Sequence, residues 1–125
     1  MDNYIATLMP HLMLREELRE QREALLRSHG WGTPAAVPLT AEDATTLIAM
    51  AERLGDAAEA LLKIAPPAEV KDGHFALIEA ILAESREVIA LSRAKDITPE
   101  GMEHGKRAAE ADDRAFAILG PHLPG

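Results

Sequence analysis

Residues 40–67 read TAEDATTLIAMAERLGDAAEALLKIAPP, and this run decides the fold class. Thr40 followed three residues later by Asp43 is a variant of the capping box that opens a helix. Leu47, Met50, Ala51, Leu54, Ala58, Leu61, Leu62 and Ala65 then fall on one side at about 100° per residue. Pro66 and Pro67 cannot continue the helix, because proline lacks the amide hydrogen and crowds the preceding turn. The reading is one amphipathic helix over 41–65.

The same period continues on both sides. Over 68–93, Val70, His74, Leu77, Ile78, Ile81, Ser85, Val88 and Ser92 form an inner stripe, and Leu82, Ile89 and Leu91 widen it. That helix is predicted to be the most enclosed. Over 99–119, Thr98 is placed as N-cap, Pro99 at the first helical position and Glu100 near the positive end of the dipole. Ile97 and Met102 occupy hydrophobic-staple positions, and Gly120–Pro121 is a stop. The inner face of this segment is read as Met102, Gly105, Ala109, Asp112, Phe116 and Leu119, with Gly105 admitting a close neighbour. Over 4–28, Leu14, Leu18 and Leu25 lie in one line and Pro10 is read as a kink inside a long helix.

No stretch alternates as a strand would. Short turns near 66–68 and 94–98 force antiparallel neighbours, while the link after the first helix is longer. The expectation is an all-α, single-domain (1–125), up-down-up-down four-helix bundle with a kinked N-terminal helix.

Composition agrees with close helix packing. Of 125 residues 47% are hydrophobic, yet only Tyr4, Trp31, Phe75 and Phe116 are aromatic, so Ala, Leu and Ile must fill the interior. The formal charge of −8, with 13 basic residues scattered among 21 acids, excludes a phosphate-binding surface and hence direct nucleic-acid binding. The absence of cysteine excludes disulfides, thiolate metal sites and Cys nucleophiles. The opening residues have no basic segment before their apolar run, so no secretion signal is read and a cytoplasmic location is the default expectation.

Signatures of catalysis are absent. The stretch GMEHGKR (101–107) lacks the spacer, the hydroxyl residue and the preceding strand of a phosphate loop. HExxH and GxSxG do not occur, and Lys71 and Gly101 stand where a Glu-x-x-His metal motif would need Glu before His74 and His104. No enzyme, cofactor or metal site is expected.

Two features remain. His74 and Asp112 sit on apolar stripes, where a polar group must be hydrogen-bonded or paired. Should they line one cavity, with His11 joining them, they would hold a small ligand or metal ion; that is the alternative function. The favoured one rests on NYIATLMPHLML (residues 3–14), which carries no Asp, Glu, Lys or Arg. Its apolar side chains point in nearly every direction of a helix, and one bundle interior covers only one side. It is too short to span a bilayer, and its flanks are not basic, so membrane contact is not expected. Ile5, Leu8, Met9, Leu12 and Met13 are therefore read as a surface for self-association or for a protein partner. Trp31, in the Gly-rich link, is either a plug on the bundle end or an added anchor on that surface. The charged run Arg15, Glu16, Glu17, Arg19, Glu20, Arg22, Glu23 is read as a solvated face whose mixed signs suit an antiparallel homodimer.

Overall fold

The computed structural model describes all 125 residues. Four helices, α1 (Asp2–Ser28), α2 (Ala41–Leu62), α3 (Lys71–Ala94) and α4 (Pro99–Leu119), are joined without any strand; a 3₁₀ turn at Ala68–Val70 leads into α3 and another at Gly120–His122 follows α4. The chain is an all-α four-helix bundle.

α3 is the centre of the bundle and lies closest to α2 and α4. Small residues make this approach possible. Ser85 Oγ donates to the Ala51 carbonyl (2.9 Å) and Ser92 Oγ to the Ala44 carbonyl (3.1 Å), so α3 is hydrogen-bonded directly onto the α2 backbone. On the other side, a Cβ on Gly73 would come within 2.9 Å of the Ile118 side chain. Every residue of the expected α3 stripe, from Val70 to Ser92, is buried.

α1 stands further from its neighbours and is held by long side chains. Tyr4 meets His74 near the start of α3, Arg15 meets Glu84 midway, and Leu26 shares a groove with Leu91 near its end. α1 thus runs parallel to α3 and antiparallel to α2 and α4, which gives the up-down-up-down order.

The caps fall where the sequence places them. Asp43 N–H donates to Thr40 Oγ1 (3.1 Å) and Thr40 N–H to Asp43 Oδ2 (2.9 Å). Gly101 N–H donates to Thr98 Oγ1 (3.0 Å). Two boundaries differ: α2 ends at Leu62 rather than 65, leaving Ala65 outside it, and 68–70 is a 3₁₀ turn ahead of α3. α1 runs unbroken through Pro10.

The α4 face is a correction. Ala108, Ala111, Ala115 and Leu119 are its buried residues, whereas Met102 and Ala109 are exposed. The stripe drawn through the bulkier residues was rotated away from the true one. Contact with α3 is so close that the alanine ridge makes it, and Asp112 and Phe116 are turned to the flank.

The link 29–40 explains the lone tryptophan. Gly30 (φ 74°) and Gly32 (φ 93°) adopt left-handed backbone on either side of Trp31. The half-buried indole packs on the core edge while its Nε1–H donates to the Val37 carbonyl (2.8 Å). Leu39 N–H donates to the Lys95 carbonyl (3.1 Å), so the link crosses the bundle end at the α3–α4 turn. His29 Nε2 reaches Asp43 Oδ2 (2.7 Å) and ties the link to the α2 cap.

Candidate functional site

The polar centre of the molecule is an ion cluster that α1 shares with α3 and α4. Arg15 Nε donates to Glu84 Oε1 (2.7 Å), and its two terminal nitrogens donate to Asp112 Oδ1 (2.6 Å) and Oδ2 (2.8 Å). Arg22 Nη2 donates to Glu84 Oε2 (3.2 Å), and Arg19 Nε stands 3.9 Å from the same oxygen. The Arg15 and Glu84 side chains are each only 4% exposed. Burial works to raise the Glu84 carboxyl, but the charge and hydrogen bond of Arg15, with Arg22 and Arg19 behind it, hold it below the usual range. Burial likewise opposes the Arg15 charge, and Asp112 and Glu84 outweigh it, raising the guanidinium.

This cluster sorts the charged run of α1. Arg15, Arg19 and Arg22 recur at the helical period on the side of Glu84; Arg15 and Arg22 bond it, while Arg19 donates its one hydrogen bond to the exposed Glu16 (3.2 Å). Glu16, Glu17, Glu20 and Glu23 are left exposed outside. Taking Arg15 as part of a solvated face is corrected: it is among the most buried charges of the protein, because Glu84 and Asp112 complete its hydrogen bonds.

The proposed ligand residues are not brought together. His74 is fully buried and uses both ring nitrogens within the fold: Nε2 contacts the Leu61 carbonyl (2.8 Å) and Nδ1 the Tyr4 hydroxyl (2.8 Å). A carbonyl can only accept, so Nε2 carries the hydrogen and Tyr4 donates to Nδ1. The rings of Tyr4 and Phe75 flank the imidazole at 5.5 and 5.6 Å. Asp112 is engaged by Arg15 and lines a separate groove with Leu12, Arg19 and Phe116. His11 is half-buried and makes no hydrogen bond. The expected His11–His74–Asp112 site is corrected on this geometry, since each polar group already has a structural partner or stands apart. No three His, Asp or Glu side chains gather as metal ligands would.

The expected partner surface divides. Leu8 is fully buried within its own chain, because it shares the inward line of Tyr4, Arg15 and Leu18, and it is withdrawn from that surface. Ile5, Met9 and Leu12 are half-buried, and Met13 is 66% exposed. Pro10, Met13 and Leu14 line a shallow open depression whose other wall is Glu16, Glu17 and Glu20. The outer face of α1 therefore presents Pro10 and Met13 beside the polar Asn3 and Thr7 in its first half and is mostly acidic in its second, where Arg27 is also exposed. Trp31 lies on the link rather than on this face, with its N–H already bonded.

A second concavity lies between the last half of α1, the end of α3 and the start of α4. Leu26, Val88 and Leu91 floor it, Ile97 and Met102 stand exposed at its rim, and Glu87 and Arg22 enter from one side. Sequence reading missed Glu84 and Glu87 altogether. One signal was present: interior Gly105 makes room, and what occupies that room is the Glu87 carboxylate, which a Cβ there would strike.

Comparison with models of known families, with curated proteins and with solved structures finds no match to this chain. No helix is long and apolar enough to cross a membrane.

Proposed function

We infer that this protein is a non-catalytic interaction module that works through the outer face of α1. The observation that supports the reading is the sorting of charges: Arg15 and Arg22 are consumed by Glu84 and Asp112, Arg19 is shared between Glu84 (3.9 Å) and Glu16 (3.2 Å), and four glutamates remain exposed outside near Pro10 and Met13. A surface that carries Pro10 and Met13 at one end and mostly glutamate at the other fits a helix of opposite design, apolar followed by Lys and Arg. Complementary potential would guide the encounter, and burial of the methionines would hold the complex.

Self-association through this face is the weaker form of the idea. In parallel, two copies would set acid against acid; antiparallel, each would desolvate its glutamates on the other's methionines. Each copy also carries a formal charge of −8. A protein segment that is basic and amphipathic meets neither difficulty.

The test is selection of displayed peptides on the wild-type chain and on a Met13→Asp, Glu20→Lys variant. The reading expects wild-type binders rich in Lys or Arg with apolar residues at helical spacing, and loss of those binders on the variant. Failure to enrich such peptides, or equal binding by the variant, would overturn it.

A further inference from the structure

Of the 21 carboxylate side chains, all but Asp43, Glu84, Glu87 and Asp112 are solvent-exposed. Three of these four are bonded: Asp43 to Thr40 and His29, Glu84 to Arg15 and Arg22, Asp112 to Arg15. Glu87 alone of the four is half-buried without a hydrogen bond or ion pair. It is seated over Gly105 and lines the groove at the junction of α1, α3 and α4. The groove holds about 210 Å³, below the usual span of ligand pockets of about 300–1,000 Å³, so its guest must be small.

We propose that this groove binds a small organic ammonium ion with an apolar tail, and that Glu87 is the counter-ion for its head group. The reasoning is one of chemical complement. Arg22 is the only cation lining the groove, and it is already engaged by Glu84 at 3.2 Å. Asp96, on the rim, adds a second negative charge, so an anionic guest would be repelled. Leu26, Val88, Leu91 and Met102 offer apolar cover of the length of a phenyl or short alkyl tail. Burial, with the charge of Glu84, pushes the Glu87 carboxyl upward against the pull of Arg22, His104 and Arg19, as expected of a carboxylate that lacks a partner. His104 Nδ1, one residue before Gly105 on α4, is the one buried side-chain polar atom without a hydrogen-bond partner. The groove opens on a different side from the α1 outer face, so it stands whether or not that face binds a helix.

The test is an NMR titration of the full chain with phenethylamine, alongside 2-phenylethanol and 3-phenylpropionate as neutral and anionic counterparts. The expected result is saturable shifts at Val88, Leu91, Gly101 and Met102, with the amine at least tenfold tighter than the alcohol and no binding of the acid. Glu87→Gln should keep the folded spectrum and bring the amine down to the affinity of the alcohol. In a second variant, Met102→Ser, which removes apolar cover without adding charge, both neutral and amine binding should weaken. Equal affinity for amine and alcohol in the wild type, amine binding unchanged in Glu87→Gln, or shifts confined to the exposed glutamates of α1 would each overturn the proposal.

Discussion

Arg15 and Glu84 meet at 2.7 Å with each side chain 4% exposed, and this pair joins the first helix to the third across 69 residues of sequence. A buried ion pair adds little over a well-packed apolar pair, but removal of one partner strands the other charge. Arg15→Met should therefore cost about 3–5 kcal/mol in urea unfolding, towards the lower end because Arg22 still reaches Glu84. The double variant Arg15→Met, Glu84→Leu should recover much of that loss. A single variant as stable as wild type would mean the pair does not hold α1.

Acid unfolding separates the two neighbouring glutamates of α3. The folded Glu84 carboxyl lies below its unfolded value, so its stabilisation is complete above about pH 4.5 and is lost as pH falls through the folded pKa. Glu87 lies above its unfolded value, so its contribution is largest in acid and declines as pH rises through the folded pKa. Urea midpoints from pH 3 to 8 should show Glu84→Gln destabilised at neutral pH with a flattened acid limb. Glu87→Gln should be as stable as wild type or more so at neutral pH.

Two glycines inside helices should respond with opposite signs. A Cβ at Gly73 meets Ile118 at 2.9 Å, so Gly73→Ala should cost about 1–3 kcal/mol by overpacking the α3–α4 contact. Gly55 has nothing within 4 Å of its Cβ position, so Gly55→Ala should gain about 1 kcal/mol from helix propensity. Thermal melts of the two variants check both.

Tyr4→Phe removes the hydroxyl that satisfies His74 Nδ1 and leaves a buried acceptor unpaired. The expected loss is about 1–3 kcal/mol, with the fold retained. His74 ring nitrogen shifts, read by NMR, should move at Nδ1 far more than at Nε2, which stays on the Leu61 carbonyl.

α2 and α3 were legible in the sequence because large apolar residues repeat at helical spacing, α2 behind the Thr40 cap and α3 behind the Pro66–Pro67 break, and the Val70–Ser92 stripe is buried throughout. The phase of α4 was not, since Ala108, Ala111 and Ala115 carry the contact and alanine registers weakly as an apolar signal. Leu8 and Met13 look alike in sequence, yet one is fully buried and the other 66% exposed. That difference is fixed by which side of α1 faces His74 and Glu84, and those partners lie some 70 positions away. For Glu87 the sequence offered only the interior Gly105 that makes room for it, because the lack of a partner is a property of three dimensions.

The docking face proposed on α1 comprises Met13 and the exposed Glu16, Glu17, Glu20 and Glu23. Its most direct measurement is fluorescence anisotropy of a labelled amphipathic Lys/Leu helical peptide against three forms of the chain. These are wild type, Glu16→Lys with Glu20→Lys on α1, and Glu52→Lys with Glu59→Lys on exposed positions of α2. The account predicts at least tenfold weaker binding for the α1 variant, near wild-type binding for the α2 variant, and unchanged melting temperatures for both. Equal weakening by the two variants would contradict it, because binding would then follow net charge rather than a face.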